Sequence, residues 1–175
     1  MLFRSPYLGY FALIHQSDEF VLFDEAQYIR RGWVNRNRIE HPDQGWQYIT
    51  VPVVRAPRET AIRDMVISDH YQWQTRIIGQ LDSYRGRAPF FRQTLSVVEH
   101  CLESTQQTIS DLNCDILSKI CCYLGIEWNA KRLSCLGVRH DVINGPGDWA
   151  IAVCKNRGAS CYLNPPGGEE LYSAD

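Results

Sequence analysis

The chain has 175 residues, 45% of them hydrophobic, and a formal charge of −2. That length and apolar content fit one domain with a true core, while the near-neutral charge argues against a generic nucleic-acid binder, which needs a broad basic face. No uninterrupted apolar stretch approaches the about 18 residues of a membrane span, and no charged leader precedes a long apolar core, so direct membrane insertion is not expected.

In chain order, His15 follows the apolar Phe11-Ala12-Leu13-Ile14. It is a candidate general base, with a hydrogen-bonded structural role as the alternative. Residues 19–24 read as a strand around Phe20-Val21-Leu22-Phe23, and Asp24 stands where the strand gives way to a polar block. Asp24 is a second acid–base or orienting candidate, because nearby arginines would keep it ionised. Its alternative is to cap the turn or pair with an arginine.

Between Asp24 and Ile39 the chain concentrates Gln27, Tyr28, Arg30, Arg31, Trp33, Asn35, Arg36, Asn37 and Arg38. Guanidinium forks donate bidentate bonds to carboxylate or phosphate. Asparagine and glutamine supply donors and acceptors, and Tyr28 and Trp33 offer flat faces to a sugar or base. The composition fits an anionic, polyhydroxylated ligand. In an extended segment, Asn35 and Asn37 take one face and Arg36 and Arg38 the other, so one pair faces the ligand. The competing reading is a solvated loop with its aromatics tucked beneath.

His41-Pro42-Asp43-Gln44-Gly45 has the residues of a tight turn able to close a hairpin. Residues 48–54 form a second strand, placed at an edge or made irregular by Pro52, and residues 65–67 a third. Helices are expected over residues 71–85, 90–102, 110–124 and 148–156. In the third of these, Leu112, Ile116, Leu117, Ile120 and Leu124 share a side, Ser110 caps the start and Gly125 ends it. Asn144-Gly145-Pro146-Gly147 marks a turn. Cys161-Tyr162-Leu163 reads as a short strand entering Asn164-Pro165-Pro166-Gly167-Gly168, a loop whose glycines let backbone amides approach a phosphate, or else a plain connector. The expected class is α/β: a single domain in which a mixed sheet of short strands packs against about four helices.

The cations are 15 arginines against 3 lysines, a bias that fits directed anion recognition and fits genome base composition equally. The seven cysteines, at 101, 114, 121, 122, 135, 154 and 161, are odd in number and lack framework spacing. Disulfides are not expected, and a reducing cytoplasm is inferred. The vicinal Cys121-Cys122 invites a thiolate nucleophile, but one member should be buried and the other partly exposed, without a base. His and Cys lack ligand spacing, so no metal is expected, and no cofactor can be named.

Taken together, Pro6-Tyr7-Leu8-Gly9-Tyr10-Phe11, Ser17-Asp18-Glu19-Phe20-Val21, the block to Ile39, Ile49-Thr50-Val51-Pro52 and the downstream run from Gly158 through Asn164, Gly167 and Gly168 to Tyr172 resemble the WbqC-like family, found in bacterial gene clusters for O-antigen and other surface polysaccharides. The chain opens at Met1-Leu2-Phe3-Arg4-Ser5 where family members carry a Gln-Pro element, and it stops at Asp175 where they continue. It is therefore expected to be truncated at both ends. The resemblance implies a cytoplasmic protein of lipopolysaccharide or related polysaccharide biosynthesis. Such a protein would bind a nucleotide-linked or otherwise activated amino sugar and transfer a small acyl or aminoacyl group to it, with Asp24 or His15 as base. The alternative is a non-catalytic sugar- or partner-binding module serving other enzymes of the pathway. Asn164, Gly167, Gly168 and Tyr172 would share its pocket with the arginine block.

Overall fold

A computed structural model describes residues 8–69, 72–138, 143, 145 and 147–164. Helix α1 (Leu8–Gln16) leads into strand β1 (Phe20–Leu22). β1 pairs in parallel with β4 (Ala130–Arg132), more than a hundred positions downstream, in the register Phe20 to Ala130 through Leu22 to Arg132. Asn129 secures the junction, its side-chain amide donating to Asp18 O at 2.6 Å and its carbonyl accepting from Phe20 N at 2.9 Å. The expected strand over residues 19–24 is thus present in shorter form. Its partner Ala130-Lys131-Arg132 has no apolar run to betray it.

The turn at residues 41–45 does close a hairpin. Strands β2 (Arg36–His41) and β3 (Gly45–Thr50) pair antiparallel, with Arg38 opposite Tyr48 and Asn37 opposite Ile49. The ladder ends at Thr50, earlier than the strand read over 48–54. Pro52 has no N–H to continue it, and its carbonyl accepts instead from Ser68 N at 3.0 Å. Residues 65–67 form no strand; they make single bridges, Ile67 to Val53 and Val66 to Thr108. The described strands therefore form two separate two-stranded sheets, one parallel and one antiparallel.

The remaining helices are α2 (Trp73–Leu81), α3 (Phe91–Leu102), α4 (Ile109–Leu124) and α5 (Asp148–Arg157), and the result is a mixed α/β single domain. α2 is followed by a 3-10 turn, Asp82–Tyr84. Tyr71, Asn144 and Pro146 lie outside the described residues. α4 is capped by Thr108, whose hydroxyl oxygen accepts from Asp111 N at 3.1 Å and whose O–H donates to Asp111 Oδ2 at 2.8 Å. Ser110 is not the cap: it is buried inside the first turn. Gly125, at φ 68°, ends the helix in the left-handed conformation that a side chain would resist.

α4 joins two apolar clusters. Leu112 packs with Tyr28, Val34, Ile62, Met65, Trp73, Ile77, Leu102 and Ile109. Further along the helix, Leu117 and Cys121 pack with Phe11, Ile14 and Leu22. Leu124 departs from the expected stripe and is 49% exposed. Of the vicinal cysteines, Cys121 is buried and Cys122 exposed, as neighbouring positions on a half-buried helix must be. Residues 161–163 form no strand and are exposed, with no neighbouring strand among the described residues to complete a ladder. No helix among the described residues is long and apolar enough to cross a membrane.

Candidate functional site

The polar block does not form one surface. It divides at Gly32, whose N–H closes a turn on Ile29 O at 2.9 Å. Residues 27–31 face one cleft and residues 33–39 line a different cavity.

The first cleft has a volume of about 790 Å³ and lies between residues 27–31 and the loop of residues 53–58, with Met65 completing its wall. Gln27 Nε2 donates to Arg58 O at 2.6 Å and Arg30 Nη2 to Ala56 O at 2.8 Å, so the block holds the loop in place. Four guanidinium groups, on Arg30, Arg31, Arg55 and Arg58, line this space without a single lining carboxylate. Unneutralised guanidinium groups in a concave site raise the local potential and favour an anion. Tyr28 lines the cleft but belongs to the core; burial pushes its phenol pKa up, against the pull of Arg36 and Arg30, and it remains a neutral group there.

Arg55 and Arg58 were absent from the sequence-based candidates, which assigned residue 54 to the end of a strand and passed over what followed. The available signal was Arg55-Ala56-Pro57-Arg58, two arginines in a proline-bearing loop. Arg31 is the one non-glycine residue with positive φ, at 59°, among the described residues. A left-handed conformation costs an ordinary residue about 1–2 kcal/mol, and such strain collects at binding sites. Arg31→Gly is therefore expected to stabilise the protein by roughly 0.5–1 kcal/mol in chemical denaturation while weakening anion binding. Unchanged binding would remove Arg31 from the site.

Beyond Gly32 the cations serve the fold. Arg36 Nε donates to Gly32 O at 2.8 Å, its Nη2 donates to Arg31 O, and its guanidinium lies 4.1 Å from the Tyr48 ring centroid. Arg38 lies 4.4 Å from the Trp46 centroid and 5.0 Å from that of Trp33. The aromatic face of Trp33 is therefore shared with the protein's own cations. Asn35 is buried and donates to Val51 O at 2.8 Å. Asn37 Oδ1 accepts from Arg38 N at 2.8 Å. Alternation along β2 does separate the asparagines from the arginines, with the Asn37 face toward Ile49 and the Arg36 and Arg38 face toward the hairpin aromatics.

Asp24 is fully buried. Ser134 donates its backbone N–H to Oδ1 at 3.0 Å and its hydroxyl to Oδ2 at 2.7 Å, and Asp24 O accepts from Arg63 N at 3.0 Å. Its carboxylate ties the end of β1 to the turn after β4. His15 lies exposed in the last turn of α1. Neither lines the arginine cleft.

Residues 158–163 of the downstream signature line a third cleft of about 510 Å³ with residues 18–21 and α5. There Arg157 donates to both Glu19 oxygens at 2.7 and 2.9 Å, and those bonds hold the Glu19 carboxyl below the usual range. Asn164 is half-buried, with Oδ1 3.5 Å from the Tyr162 hydroxyl. Gly167, Gly168 and Tyr172 lie outside the described residues. Among the described residues no cluster of His, Cys, Asp or Glu could hold a metal ion.

No solved structure is significantly similar to the chain. Uncharacterized protein Rv1507c of Mycobacterium tuberculosis (strain ATCC 25618 / H37Rv) is 34% identical over 163 residues, which cover 92% of this chain and 68% of that one. The sequence also matches the WbqC-like protein family over residues 4–175, essentially its whole length, and the chain belongs to that family.

Proposed function

We propose that this protein binds the phosphate-bearing end of an activated amino sugar in the cleft between residues 27–31 and 53–58, as a step in bacterial surface-polysaccharide assembly. Membership of the WbqC-like family supports a role in a polysaccharide-related cluster. The observation that carries the ligand class is the lining of that cleft by Arg30, Arg31, Arg55 and Arg58 without a carboxylate. Phosphate oxygens match the guanidinium fork, and a diphosphate can engage more than one of them. Gln27 adds an amide at the wall.

A module that holds the activated sugar for another enzyme of the pathway needs no base in the cleft. Asp24 is enclosed and His15 is elsewhere, so this reading is preferred to acyl or aminoacyl transfer by the chain itself.

Isothermal titration with a nucleotide-linked amino sugar, the bare nucleoside diphosphate and the unphosphorylated amino sugar tests the reading. The two phosphate-bearing ligands should bind and the neutral sugar should not. Arg55→Ala and Arg58→Ala should each weaken binding about tenfold or more, as expected for lost charge-assisted bonds, with the melting temperature unchanged because both residues are exposed. Absence of binding by either phosphate compound, or equal affinity in the arginine variants, would refute it.

A further inference from the structure

We infer that the diphosphate taken by the arginine cleft is esterified to a hydrocarbon chain, which leaves the cleft along an exposed aliphatic strip formed by Ile29, Val54 and Val66. The inference rests on the reading of that cleft as a phosphate site and names what the phosphate carries. Ile29 and Val54 both line the cleft and are 55% and 47% exposed. Val66 lies beside Val54, which donates its N–H to Val66 O at 2.9 Å, and is 44% exposed. The bridge between Val53 and Ile67 sets this register. Val53 and Ile67 pack into the core, so their neighbours Val54 and Val66 share the opposite, outer face.

Singly exposed aliphatic residues are ordinary, but three grouped at the mouth of a cationic cleft make an amphipathic surface. None of the three belongs to either apolar cluster of the core, so their exposed surface is not already spent on packing. The same lining offers little to a nucleoside. A base needs a flat partner, yet Tyr28, the one aromatic residue of the cleft, is buried in the core. Carboxylates are the strongest acceptors for ribose hydroxyls, and the cleft has none. Arg30, Arg31, Arg55 and Arg58 complement the diphosphate, and the aliphatic side chains beside them complement a chain.

Head and chain are recognised by different residues, the head by arginines and the chain by the aliphatic strip. Dependence on the anion therefore tests the cleft, and dependence on chain length tests the strip.

The test is titration of the whole protein with methyl, butyl, hexyl and octyl diphosphate, each below its aggregation concentration, alongside a nucleoside diphosphate and octanol. Affinity should rise about twofold per methylene, because a strip open on one side captures about half of the roughly 0.8 kcal/mol of a fully buried CH₂, and level off once the chain has passed Val66. Octyl diphosphate should exceed the nucleoside diphosphate, and octanol, which lacks the anion, should be weakest. In the double variant Val54→Thr, Val66→Thr, which keeps the shape and the backbone bridge, the ratio of octyl to methyl affinity should fall about fourfold, the loss of two half-buried methyl contacts. Arg55→Ala should weaken every member of the series alike. Equal affinity for methyl and octyl diphosphate, a nucleoside diphosphate that outcompetes the octyl compound, or an unaltered ratio in the double variant would overturn the inference and leave the phosphate cleft standing. Failure of every diphosphate to bind would overturn both. Vesicles of anionic phospholipid that sediment the protein and are not displaced by octyl diphosphate would make the strip a membrane-docking face and overturn the chain site.

Discussion

Asp24→Ala is expected to lower the unfolding free energy by about 3 kcal/mol, because bonds to a buried carboxylate are worth roughly 1.5–3 kcal/mol each and their donors lose their partner. Ser134, itself half-buried, would lose the acceptor of both its N–H and its hydroxyl beside the fully buried Asp24 side chain. For a chain of this size the melting temperature should fall by about 6–12 °C. Asp24→Asn separates a tether from a base. The amide retains one oxygen for Ser134 N and can donate to the serine hydroxyl, so the loss should shrink to about 1 kcal/mol. A base converted to its amide would instead leave stability intact and stop chemistry. A double-mutant cycle with Ser134→Ala measures the coupling, and strict additivity of the two losses would reject the tether.

Gly32→Ala should be the most damaging change in the polar block. A Cβ built there meets the Ile29 carbonyl oxygen at 2.7 Å, and that atom is backbone, already engaged by Gly32 N–H. The turn must open. Overpacking of this kind costs about 1–3 kcal/mol, and Arg30 and Arg31, carried by the same turn, should lose alignment with the anion cleft. Titration of the nucleotide-linked sugar should then show a loss on the order of tenfold, the size of one missing charge-assisted bond. Gly79 in α2 supplies the contrast, since a Cβ there meets nothing within 4 Å. Gly79→Ala should raise stability by about 1 kcal/mol through helix propensity and leave binding unchanged. Equal effects at the two glycines would refute the steric account.

Helix positions were legible in the chain wherever apolar residues recur at helical spacing, because a face must be buried and its period follows from backbone geometry. α3 begins and ends within a residue of expectation. The hairpin turn at residues 41–45 was equally plain, since its residues act locally. Capping was less so: Thr108 and Ser110 are both competent, and the choice was made by the bridge between Val66 and Thr108 and by burial of Ser110 beside the core. Family membership was readable because it rests on the order and spacing of residues along the chain.

The site was only half legible. Residue type marked residues 27–38 as polar, cationic and aromatic, but the same chemistry lines the open cleft at Arg30 and braces the hairpin at Arg36, and nothing local distinguishes them. The distinction comes from what the rest of the chain brings alongside: the loop of residues 53–58 with two more arginines, the β3 aromatics that occupy Arg36 and Arg38, and Ser134, which encloses Asp24 from 110 positions away. The sequence by itself determined the α/β class, the helix faces and the family, all of which follow from local periodicity and order. Tertiary structure alone decided which charges remain available and which are spent, because a charged group's role depends on its solvation and its partners, and these are set by contacts between distant segments.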